Sequence, residues 1–85
     1  MTRRSVFPGF DSLSEHRRGV IAALVRERRQ LGLSQTEVAA RMKTSQSALA
    51  RLEAGDSDVR ISTLQRYAAA VGRDLQWRLT KGDKP

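Results

Sequence analysis

The sequence predicts a mostly α-helical domain of four helices followed by one short C-terminal strand. Three observations predict it. Apolar residues recur at three- and four-residue spacing over four successive stretches between residues 12 and 72. Helix-start and helix-stop residues bracket those stretches, with Ser at each start and Gly after three of them. From Leu75 the apolar period changes from the helical value to two.

Residues 1–11, with Arg3, Arg4, Phe7, Pro8, Gly9 and Phe10, follow neither period and read as an N-terminal arm. Ser12 and Glu15 have the spacing of a capping box, in which each side chain bonds the other's backbone N–H, and open a first helix ending near Leu31 at Gly32. Val20, Ile21, Leu24, Val25 and Leu31 form its apolar face, leaving Arg17, Arg18, Arg26 and Arg29 for the surface. Ser34 and Glu37 repeat the box and start a second, short helix through Met42, with Val38, Ala39 and Met42 inward and Glu37 four residues before Arg41. After Lys43 and Thr44, Ser45 caps a third helix from Gln46 to about Ala54; Ala48, Leu49 and Leu52 form its stripe and Gly55 stops it. Residues 55–60 read as a loop. Ser62 with Gln65 starts a fourth helix through Val71, with Leu64, Tyr67, Ala68 and Val71 inward and Gly72 after it. In the segment 73–80, Leu75, Trp77 and Leu79 alternate with Gln76, Arg78 and Thr80 as a strand does, and 81–85 is a polar tail expected to be disordered.

Eighty-five residues allow one domain, 12–72, and one modest core; with no Cys to add a disulfide, self-association is the expected source of further burial. The lack of Cys and the single His16 argue against a metal site. Sixteen Lys and Arg against nine Asp and Glu give a net charge of +7, which suits a polyanionic partner, nucleic acid first. The apolar stretches are short and broken by Arg, so neither a membrane span nor a signal peptide is expected, and the location predicted is the cytoplasm. A membrane-surface helix would need an apolar face that the core already uses.

Two short helices across a tight turn form a helix-turn-helix. The segment from Gln35 to Gly55, QTEVAARMKTSQSALARLEAG, resembles that of the Xre family, which includes lambdoid phage repressors and Cro. Ala39 matches the small residue where the two helices cross; Val38, Met42, Leu49 and Leu52 match the family's buried positions; Glu53-Ala54-Gly55 stands at its E-N-G ending. The resemblance runs from about Leu24 to Val71 and implies a lambda-repressor-like fold, with the third helix in the major groove of double-stranded DNA. Two departures stand out, Lys43 for the usual Gly in the turn and Ala54 for Asn.

That placement implies base contacts by Gln46, Ser47, Ala50 and Arg51. Gln pairs with adenine and Arg with guanine through two bonds, while Ala50 offers a thymine methyl a contact. The plainer alternative is that all four are solvated surface positions. Gln35 is implied as a phosphate contact. Ser34, Ser45, Arg41 and Lys43 are phosphate candidates too, the serines serving equally well as caps and the two cations as surface charge. The resemblance pairs Arg28 with Glu53 in a structural salt bridge; a phosphate contact is the other reading of Arg28.

The end of the chain departs from the many relatives that continue in a helix. A lone strand cannot satisfy its backbone, so pairing with a second copy through Leu75, Trp77 and Leu79 is expected, as in short antitoxins of the HigA and HipB type. Alternatively, Trp77 packs within its own chain. Arg3 and Arg4 fit either a minor-groove arm or a disordered one, and Phe7 and Phe10 either pack on the domain or offer a docking site.

No convergent catalytic groups, phosphate loop or cofactor signature is present, so an enzyme is not expected. The functional expectation is a dimeric, sequence-specific DNA-binding regulator, a repressor of an inverted-repeat operator. The alternatives are an antitoxin that neutralises a toxin and represses its own operon, and a protein-binding adaptor.

Overall fold

The computed structural model describes the backbone of residues 8–55 and 59–76 and the side chains of 15–55 and 59–76. Four helices follow in order: α1 (Pro8–Gln30), α2 (Gln35–Met42), α3 (Gln46–Ala54) and α4 (Ile61–Ala70). α2 packs on both α3 and α4, and α1 lies across α3 and α4. Their shared core is Ile21, Leu24, Val38, Ala39, Met42, Leu49, Leu52, Leu64, Tyr67, Ala68 and Val71.

α2 and α3 begin where side chains replace missing helical partners. Ser34 is in extended conformation, its Oγ accepts from the Glu37 N–H at 3.0 Å, and Glu37 Oε1 accepts from the Ser34 N–H at 2.8 Å. Ser45 Oγ likewise accepts from the Ala48 N–H at 3.1 Å. α1, α2 and α4 end alike, with a left-handed residue after the helix and paired 6→1 and 5→2 hydrogen bonds. These bonds run from Leu33 and Gly32, from Thr44 and Lys43, and from Arg73 and Gly72. Two of the three left-handed residues are glycine. The third is Lys43, at φ 59°, the one non-glycine residue with positive φ among the described residues.

Four details differ from the sequence reading. α1 starts at Pro8, so residues 8–11 are helical and Ser12 lies inside the helix. Proline's fixed φ and missing N–H suit a first helical turn, and the capping-box spacing at Ser12 does not set the start. Leu31 is 54 % exposed. The buried stripe of α1 runs Ile21, Leu24, Arg28, and α1 stops at Gln30, one residue before Leu31 would extend it. α4 begins at Ile61 with Arg60 at its N-cap and no side-chain cap bond. Ser62 is therefore within the first turn, and Gln65 reaches toward the Leu75 carbonyl at 3.5 Å instead of a helix start. The inward face of Leu64, Tyr67 and Ala68 sets where α4 packs, and caps are secondary to that burial. Finally, residues 73–76 form no strand; Trp77 and Leu79 lie outside the described residues, as does the tail, and Leu75 is half-buried against the core.

Candidate nucleic-acid interface

Tyr67 is fully buried, and a buried phenol needs a hydrogen-bond partner. It finds the carboxylate of Glu53, donating to Oε2 at 2.5 Å. Arg28, 8 % exposed in α1, donates from Nε to the same oxygen at 2.8 Å and from Nη2 to Oε1 at 3.1 Å. Its Nη1 donates to the Leu33 carbonyl at 2.9 Å, tying the α1–α2 turn to the same group. Gln35 Nε2 supplies a fourth donor, to Glu53 Oε1 at 2.9 Å. Burial pushes the Glu53 carboxyl up, but hydrogen bonds from Arg28, Tyr67 and Gln35 outweigh it and hold the group below its ordinary value of 4.5. The hydrogen bond to Glu53 raises Arg28, whereas Tyr67 is raised first by burial and then by the facing carboxylate.

One further bond carries this buried cluster to the surface. Gln46 Nε2, in the first turn of α3, donates to Gln35 Oε1 at 2.6 Å. Gln35 thus joins an exposed glutamine on α3 to a carboxylate locked between α1 and α4. A side-chain amide already held in place by a hydrogen bond loses less entropy when it meets a ligand.

The remaining candidates are distributed unevenly. Gln46, Ser47 and Arg51 are exposed on α3, Ala50 is half-exposed, and Arg51 is the basic residue of its last turn. Ser34 and Ser45 cap α2 and α3, and Ser45 Oγ lies 3.3 Å from Ser47 Oγ. Arg41 turns elsewhere: its Nη1 donates to the Ala70 carbonyl at the end of α4 at 2.8 Å, and Lys43 lines the groove beside it. Leu75 is half-buried; Trp77, Leu79, Arg3, Arg4 and Phe7 lie outside the described residues, as does the side chain of Phe10.

Sequence reasoning missed the parts of the cluster contributed by Tyr67 and by the inner end of Gln35. Tyr67 carried a usable signal, since a tyrosine on an inward helical stripe has to direct its hydroxyl to some buried acceptor. It also missed the ion pair between Arg73 and Glu27, at 2.9 and 3.1 Å, which links the segment after α4 to α1; the hydrogen bond from Arg73 lowers Glu27.

A match to the Helix-turn-helix family covers residues 24–78, from α1 through the segment after α4. The chain belongs to this family. Membership puts it with Xre-like DNA-binding regulators and outside the enzymes. It is also 40 % identical over 70 residues to the antitoxin HigA1 of Mycobacterium tuberculosis, in each of two strains, a match covering 82 % of this chain and 47 % of the relative. The chain thus spans about half the length of the curated relatives it matches. No solved structure gives a significant match. Among the described residues no helix is long and apolar enough to cross a membrane.

Proposed function

We propose that the chain acts as a dimeric transcriptional repressor that reads an inverted-repeat DNA operator with α3. The observation that supports this reading best is the chain of bonds from Glu53 through Gln35 to Gln46, which pre-orients a base-reading amide on the exposed face of α3. Gln46 and Arg51 carry most of the discrimination, with adenine and guanine as their partners, and Ser47 and Ala50 contribute contacts beside them. Gln35 meets a backbone phosphate at the N-terminus of α2, where unpaired N–H groups favour an anion. Ser34 and Ser45 join it, because a capping hydroxyl that accepts an N–H still has its own proton to donate.

Two copies place their α3 helices in half-sites about 34 Å apart, one turn of DNA. In this reading Leu75, Trp77 and Leu79 form the two-fold contact. The test is to replace each operator base pair in turn and compare the wild type with Arg51→Ala. Loss of discrimination at one base pair per half-site, on the order of 1–3 kcal/mol, is the expected result. An equal loss at every position would remove Arg51 from base reading.

The likeness to HigA1 antitoxins supports a second role beside the first, neutralisation of a partner toxin by a protein that also represses its own operon. Co-purification with the product of an adjacent gene tests it.

A further inference from the structure

Between the end of α2 and the second half of α4 lies a shallow groove of about 490 Å³, lined by Arg41, Met42, Lys43, Arg66, Ala69 and Ala70. Its lining divides by chemistry. Ala69 and Ala70 make a small apolar floor, with Met42 buried beneath it, and three cations, Arg41, Lys43 and Arg66, stand exposed around it. Among the described residues no acidic side chain lines it. Arg41 is pre-oriented, since its Nη1 is held by the Ala70 carbonyl at 2.8 Å while most of the five N–H donors of a guanidinium remain for a carboxylate.

We infer that this groove binds an acidic, amphipathic segment of a partner protein, its carboxylates on Arg41, Lys43 and Arg66 and its apolar side chains over Ala69 and Ala70. The apolar floor favours such a segment over a phosphate backbone, which has nothing to bury there. The position agrees. At 100° per residue Arg41 lies about 120° around α2 from Gln35 and about 9 Å along its axis. The groove therefore opens to the side of the surface assigned to DNA, and a protein seated in it leaves α3 accessible.

The experiment is fluorescence anisotropy on the full chain at near-physiological salt with two labelled peptides. One carries Glu and Leu at helical spacing; the other has every Leu replaced by Ser. The wild type should bind the first about tenfold or more tightly than the second. Arg41→Glu with Arg66→Glu should weaken the first peptide by about tenfold or more, whereas Arg18→Glu with Arg29→Glu, which has the same net charge, should leave it within about twofold. Arg66→Ala, at an exposed position, should weaken it in the same direction and serves if circular dichroism shows the double variant unfolded.

The inference is overturned if neither peptide binds the wild type at about millimolar concentration, or if both bind equally. It is also overturned if the two charge-reversed doubles lose the same affinity, since net charge would then be the cause. Two results would reassign the groove: a larger loss for a random-sequence DNA duplex than for the peptide makes it a phosphate site, and dissociation of a wild-type oligomer by the Arg41, Arg66 double makes it a contact between copies. Either one refutes the partner-protein assignment.

Discussion

Replacing Arg28 by Met removes three hydrogen bonds at once, two to Glu53 and one to the Leu33 carbonyl, while keeping an aliphatic stem in the same space. Glu53 is then left as a carboxylate whose side chain is 8 % exposed, with Tyr67 and Gln35 as its remaining donors. Breaking one side of a buried pair costs about 3–5 kcal/mol, most of it the desolvation of the charge left behind. A domain of this size has about 4–13 kcal/mol in total, so the loss is a large fraction of its stability. Restoring neutrality should recover much of it: in Arg28→Met with Glu53→Leu no charge remains buried, and the expected net cost falls to about 1–2 kcal/mol, mainly the orphaned Tyr67 hydroxyl and Leu33 carbonyl. DNA binding should not recover, because Gln35 loses the group that holds it against Gln46. Urea unfolding at matched protein concentration measures the first quantity and operator titration the second. A single change costing under about 1 kcal/mol, or a double variant no more stable than the single, would refute the reasoning.

Lys43→Gly should stabilise the fold by about 0.5–1 kcal/mol, because it relieves a left-handed residue at the site where Gly32 and Gly72 serve their helices; a lower melting temperature would show that the turn carries no strain. The Glu53 carboxyl is held below its ordinary value of 4.5, so its contribution is fully present above that pH and is lost as pH falls through the lower folded value. Urea midpoints should accordingly hold near neutrality and fall below about pH 4.5, more steeply in the wild type than in the Arg28→Met, Glu53→Leu double; parallel curves would contradict this assignment. Trp77→Ala should shift the protein toward monomer in sedimentation equilibrium and weaken operator binding with it, and a tight dimer after that change would refute the C-terminal contact.

The helix-turn-helix was legible because its signals are local. Ser34, Ser45 and Gly55 act on backbone groups within a few residues of themselves, so α2 and α3 can be placed from neighbours alone. The other termini depend on tertiary contacts. Ser62 has the spacing of a cap but sits inside α4, whose packing is set by Leu64, Tyr67 and Ala68, and Leu31 has helical spacing but follows the residue where α1 stops. Arg28 falls on the buried stripe by the same periodicity that chose Ile21 and Leu24, and only family resemblance suggested its partner. The candidate site was legible as positions on α3. How those positions are held was not, because the Gln35–Gln46 bond depends on the crossing of α2 and α3, and Tyr67 reaches Glu53 from a different helix, α4.

The measurement that bears most directly on the account is selection of bound sequences from randomised duplex DNA at near-physiological salt, followed by titration of the best site against a scrambled duplex. We predict an inverted repeat, its halves one helical turn apart, bound about 10³-fold or more tightly than the scramble. Enrichment of no sequence, with selected and scrambled duplexes bound alike, would contradict operator recognition and leave the affinity to the net charge of +7.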